Sequence, residues 1–377
     1  MTSRVWHCST KFKMEYSRRC AVVFTLTVLL IASEAMAQTK RLAPAYFIFG
    51  DSLSDPGNNN YLRTLSRADA PPNGIDFPNG KATGRYCNGR TATDILGQSI
   101  GIPDFIPPYM APETKGPAIL NGVNYASGAA GILPSSGYLF ISRISLDQQL
   151  QDFANTKTQI VAQIGEEATT ELLSKSLFYF NLGSNDFLDN YFIPGSPFSR
   201  NMTVTQYTDM VLDKYKGQLS QIYSMGGRKV AIASLGPIGC CPFQLTLALR
   251  RNGICDEKAN EDAIYFNKGI LRIVDELNAN LPGSDYIYLD VYRAVGEIIA
   301  SPRDYGFTVK DIGCCGRGPQ YRGLVPCLPN MTFCPNRFDY VFWDPYHPTE
   351  KTNILISQRF FGSGYTYPKN IPQLLGA

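Results

Sequence analysis

Histidine is nearly absent: the 377-residue chain has two, His7 and His347. A histidine-built metal centre is therefore excluded, because such sites need several imidazoles or cysteines at fixed spacing. An excess of charge of one sign is also missing, with 35 Lys/Arg against 32 Asp/Glu. Nucleic-acid binding calls for a basic stripe that this balance does not supply, so no nucleic-acid partner is expected. Long hydrophobic runs are lacking too. The one uncharged apolar stretch, from Cys20 to Ser33, falls short of the ~20 residues a membrane span requires, so no stable membrane insertion is expected. Repeats, low-complexity tracts and internal linkers are likewise missing.

What stands around that apolar stretch has a definite order. Arg4, Lys11, Lys13, Arg18 and Arg19 precede it and Ala35-Met36-Ala37 follows. A basic region, a short apolar core and an A-x-A triplet describe a secretory signal peptide over residues 1–37; its rival is an uncleaved anchor. Cleavage leaves one domain, 38–377, with thirty basic and thirty acidic side chains and His347 as the sole imidazole. Eight cysteines remain: Cys87, Cys240, Cys241, Cys255, Cys314, Cys315, Cys327 and Cys334. An even number in an exported chain suggests disulfides, whose connectivity spacing alone leaves open. The spacings do not match a paired C-x2-C zinc site. Asn201-Met202-Thr203 and Asn330-Met331-Thr332 are glycosylation sequons, which fit the same secreted, extracellular setting.

Apolar runs alternate with segments of helical period. Residues 45–49, 177–182, 230–233 and 286–289 read as strands without polar alternation, and 123–126 as a weaker fifth. Such strands occur where both faces of a sheet are covered. Between them, Ser145-x-x-Gln148 predicts a capping box opening a helix with Leu146, Leu150, Phe153, Ile160 and Ile164 at helical spacing. Further helices are predicted from Tyr207 to Gly226, from Ala259 to Pro282, and from Pro348 through Ile354 to Phe361. Strand–helix alternation implies a mostly parallel α/β sheet with helices on both sides.

In such sheets ligands bind beyond the carboxyl ends of the strands. Ser52, in Phe49-Gly50-Asp51-Ser52-Leu53, follows the first strand, and Asn185, in Gly183-Ser184-Asn185-Asp186, follows another. In Asp344-Pro345-Tyr346-His347-Pro348 an aspartate lies three residues before the histidine. A proline-stiffened loop would let the carboxylate hold Nδ1–H while Nε2 faces a serine, the orienter–base–nucleophile relation of acyl transfer. A second serine competes: Gly97-Gln98-Ser99-Ile100-Gly101 matches G-x-S-x-G. That motif needs a strand before and a helix after the serine, whereas residues 91–96 here read as helix.

Taken together these blocks resemble the SGNH hydrolases, and among them the plant-type GDSL esterase/lipases. The resemblance rests on residues 49–53 with Asp55-Pro56-Gly57-Asn58-Asn59-Asn60, on Asn124-Tyr125-Ala126-Ser127-Gly128, on residues 183–186, and on Phe342 to Glu350. It implies a three-layer α/β/α fold with a mostly parallel, five-stranded, flavodoxin-like sheet, and a serine esterase or lipase acting through an acyl-enzyme. Ser52 would be the nucleophile, His347 the base and Asp344 its orienter. The oxyanion hole would draw on the Ser52 N–H, the Gly128 N–H and the Asn185 side chain. No metal or organic cofactor is called for, and the partner would be an ester: lipid, cutin-like, acetylated polysaccharide or small molecule. Gly128-Ala129-Ala130-Gly131 departs from the family in lacking a second glycine after the first. Asp186 is expected to brace its loop, and segments 84–90 and 236–242 to form scaffold or pocket rim. An acyltransferase with the same triad, or a silent wall or carbohydrate-binding protein, are the other readings open to the sequence.

Overall fold

Four aromatic or aliphatic residues closed by a glycine, Tyr46–Gly50, form the first strand of a sheet whose two faces are both buried. The computed structural model describes residues 41–377, which form one unit; the predicted signal peptide lies outside the described residues. The other strands are β2 (Leu177–Asn181), β3 (Lys229–Ala233), β4 (Asp285–Leu289) and β5 (Thr366–Tyr367), with Tyr46–Gly50 as β1. They lie in the order β1-β2-β3-β4-β5; the first four are parallel and β5 is antiparallel.

The segment predicted as a weak strand, 123–126, is not a full strand but a bridged extension of the sheet beside β1. Ile48 N–H donates to Val123 O at 3.1 Å, Tyr125 N–H to Ile48 O at 2.8 Å, and the pairing is parallel. With it the spatial sequence follows the flavodoxin pattern, in which the second segment in the chain lies outside the first. The chain thus leaves β1 toward one edge and returns on the other side at β2. The crevice above that reversal is where open α/β sheets bind ligands.

Alternation along each strand divides the core. Phe47, Phe49, Phe178 and Phe180 face α2 (Leu146–Ile164), α4 (Val204–Ser224) and α5 (Glu257–Asn280), with Phe49 and Phe180 stacked at 4.6 Å between centroids. Tyr46, Ile48, Leu177 and Tyr179 face α1 (Ala92–Ser99) and α7 (Glu350–Arg359). Helices α3 (Glu166–Lys175) and α6 (Val291–Ala300) complete the layers. A third small core holds Cys314, Cys315, Cys327, Met331, Cys334 and Trp343.

Helix starts follow local chemistry. The predicted box at Ser145 is half made: Ser145 Oγ accepts from Gln148 N–H at 3.5 Å, but the Gln148 amide turns to Asp152 instead of reaching back. Thr203 with Gln206 and Thr91 with Asp94 form complete boxes. The last of the predicted helices ends at Arg359, two residues before the predicted Phe361, and an unpredicted short helix, Ile371–Leu375, follows it. Six cysteines pair as Cys240–Cys255, Cys314–Cys334 and Cys315–Cys327, while Cys87 and Cys241 stay free and buried. Among the described residues no helix is long and apolar enough to cross a membrane.

Candidate active site

Ser52 sits in a tight turn directly after β1. Asp51 N–H donates to Asn181 O, and Ser54 and Asp55 N–H both return to Asp51 O. Gly50 is needed here for close packing: a Cβ would lie 2.9 Å from Ser54 Cβ and 3.2 Å from Asn181 O. From α2, the fully buried Gln149 pins this glycine, accepting from its N–H and donating to its C=O, both at 2.9 Å.

The partner histidine comes from the far end of the chain. Trp343 N–H donates to His347 O at 2.7 Å and Phe342 pairs with Pro348, so residues 343–347 form a closed turn. Inside it Asp344 Oδ1 accepts from the Tyr346 and His347 N–H groups at 2.9 Å. His347 Nδ1 lies 2.7 and 2.8 Å from the two Asp344 oxygens, and Nε2 lies 2.7 Å from Ser52 Oγ. An ionised carboxylate only accepts, so Nδ1 carries the proton and Nε2 presents its lone pair to the serine hydroxyl. Both Asp344 and His347 are buried, and the Tyr86 ring lies 5.1 Å from the imidazole. This arrangement can take a proton from Ser52 and hold the resulting imidazolium.

Asn185 opens the turn after β2, where Gly183 adopts φ 123°. Its amide donates one hydrogen to Ala130 O at 2.8 Å; a primary amide has a second to give. Gly128 does not follow the expectation. Its N–H donates to Asp55 Oδ2 at 2.9 Å, and a Cβ would meet the Tyr86 hydroxyl at 2.1 Å. Gly128 is thus small to admit Tyr86, and its amide is already used. The next residue, Ala129, has φ 68° and lines the cleft with Ser52, Asn185 and His347. Neither its N–H nor that of Ser52 has a partner among the described residues.

Supporting residues come from segments the sequence marked only as family blocks. The Asn58 amide donates to Asn124 O and Ala126 O, and the Asn59 amide to Gly128 O, stitching 124–128 beside Ser52. Asp186 braces a neighbouring loop, accepting from Ile132 and Leu133 N–H and from Ser136 Oγ. Arg85 pairs with Asp94 in a buried, two-bond contact. Burial raises the Asp51 carboxyl to about 7 and the Asp55 and Asp186 carboxyls to about 6. Ser99 ends α1, exposed, with its hydroxyl turned back to Ile95 O at 2.8 Å, and lines neither cavity at Ser52. Both sequon asparagines, Asn201 and Asn330, are exposed.

Comparison with known proteins follows the same geometry. The family model for GDSL-like lipase/acylhydrolase matches residues 46–360. The chain belongs to that family. It is 45% identical over 357 residues to the Arabidopsis thaliana protein GDSL esterase/lipase At4g16230, covering 93% of this chain and 96% of that one. It is also 44% identical over 336 residues to GDSL esterase/lipase At1g71691 of the same plant, covering 88% and 86%. Membership makes this GDSL protein an enzyme of the carboxylic ester hydrolase class, and its sheet is that of the SGNH fold.

Proposed function

We propose that this GDSL hydrolase cleaves esters through a Ser52–His347–Asp344 triad and an acyl-enzyme. The observation that carries the reading is the continuous contact from Asp344 through both imidazole nitrogens to Ser52 Oγ, with no bond longer than 2.8 Å. His347 accepts the Ser52 proton as Oγ attacks the ester carbonyl. It then gives that proton to the departing alkoxide, and a water repeats the sequence to free the acid. Charge on the tetrahedral oxygen is met by the Ser52 N–H and the second Asn185 amide hydrogen. Since the Gly128 N–H is held by Asp55, we assign the further backbone donor to Ala129. Each such donor stabilises the transition state by ~3–4 kcal/mol.

We also propose export, with cleavage after Ala37 and glycans on Asn201 and Asn330. The triplet at the predicted cleavage site, three disulfides and two exposed sequons support this extracellular setting.

The test is a serine-directed fluorophosphonate with an activity assay. Ser52→Ala should lose both labelling and ester cleavage, and Ser99→Ala should keep both. Labelling that survives Ser52→Ala and disappears in Ser99→Ala would overturn the assignment.

A further inference from the structure

Two cavities diverge from Ser52 and His347. The first, an apolar slot of about 110 Å³, runs between the sheet edge and helices α6 and α7, walled by Leu188, Ile238, Val291, Val295, Phe342 and Ile356. The second, about 250 Å³, opens past Ser66, Arg67, Tyr86, Phe140 and Asp189. A cavity walled by these aliphatic side chains suits a hydrocarbon chain, and one that presents Arg67 and Asp189 beside the serine suits a group with hydroxyls.

Asp189 is the anomaly in the second cavity. It sits on a single π-helical turn, Phe187–Tyr191, which begins two residues after Asn185; such turns concentrate at functional sites. Its side chain is 7% exposed and makes no hydrogen bond among the described residues. Its neighbours are fully engaged: Asp186 accepts three bonds, and the Asn190 amide donates to Ser135, Ser136 and the Tyr207 hydroxyl. A largely buried carboxyl without a protein partner gains from one that a ligand supplies, because its desolvation is otherwise poorly offset. Here the carboxyl faces the cleft that contains Ser52 and His347.

We propose that Asp189 hydrogen-bonds a free hydroxyl on the alcohol side of the ester, so that the enzyme selects acyl esters of polyols while the apolar slot takes the acyl chain. The inference rests on the assignment of Ser52 and His347 above. Either protonation state of a carboxyl can serve a hydroxyl, which both donates and accepts. A cationic alcohol fits less well, since Arg67 lines the same cleft. A metal fits less well also, since among the described residues no three His, Cys, Asp or Glu side chains converge.

The experiment fixes the acyl group and varies the alcohol: propyl butanoate, 1-monobutanoylglycerol and butanoylcholine, with wild type, Asp189→Leu and Asp189→Asn. For wild type, kcat/KM for the glycerol ester should exceed that for the propyl ester by ~10-fold, the scale of one well-made hydrogen bond. Asp189→Leu should collapse that ratio, and Asp189→Asn, which keeps a polar group, should retain most of it. A wild-type ratio near one overturns the proposal without recourse to any variant, as does a ratio unchanged in Asp189→Leu. Preference for the choline ester would overturn it in favour of a cation site. Fluorophosphonate labelling of each variant reports separately on Ser52: if Ser52 is not the labelled residue, the underlying mechanism has failed, whatever the selectivity.

Discussion

Asp189 gives the folded protein a cost that its position near Ser52 explains. Burial pushes its carboxyl up to about 7, against a lowering influence from His347. In the unfolded chain the same group titrates near ~4. The native state therefore holds this proton more tightly, and the stabilisation it brings is complete below pH ~4 and lost as pH climbs through 7. Asp51, also raised to about 7 by burial, Tyr346, Cys241 and His347 are the titratable groups whose fields it shares. Asp189→Asn should match wild type in urea denaturation at pH 4 and exceed it by about 2–4 kcal/mol at pH 8. An equal difference at both pH values would show that the carboxyl ionises freely where it sits. A residue that weakens the fold at working pH is the kind that persists for function.

At the scale of elements, the turn that bears Ser52 depends on a helix that lines neither cavity beside it. Gln149 from α2 satisfies both backbone groups of Gly50, and its amide also reaches Ile144 O. Gln149→Leu would leave the buried Gly50 N–H without a partner, costing about 1–3 kcal/mol. Displacement of Ser52 should lower kcat by up to ~100-fold with KM little changed; normal kcat in the folded fraction would reduce Gln149 to a packing residue. Nothing in the sequence marks this glutamine beyond its place on a helix. Strands β1 to β4 were legible because each is an unbroken apolar run closed by a turn residue. Helix α6 was not, because Val291 follows Leu289 after a single residue and the two apolar patterns merge. Two-residue β5 carries no period at all. The contact among Ser52, Asp344 and His347 was foreseeable because scarcity of histidine left one pairing to consider. The engagement of Gly128 by Asp55 and the isolation of Asp189 were not, since each depends on which backbone groups distant segments bring near.

For the molecule as a whole, the turn bearing Asp344 and His347 hangs on a small core of its own. Cys314 and Cys315 donate their N–H groups to Phe342 O and Trp343 O, and their sulfurs tie this layer to Cys334 and Cys327. Loops of 20 and 12 residues are closed, each worth about 3 kcal/mol on chain-entropy grounds. The main sheet does not share this core, so a graded thiol reductant should abolish ester cleavage before far-UV circular dichroism changes; simultaneous loss of both signals would show that the two regions melt as one. The same layout has a consequence for biosynthesis. Ser52 and His347 meet across 295 positions of sequence, and synthesis runs from the amino end. The serine emerges well before the imidazole that the proposed mechanism pairs with it. If the proposed triad holds, a chain that has not yet reached His347 lacks the base that Ser52 needs, and hydrolysis waits on the arrival of that residue.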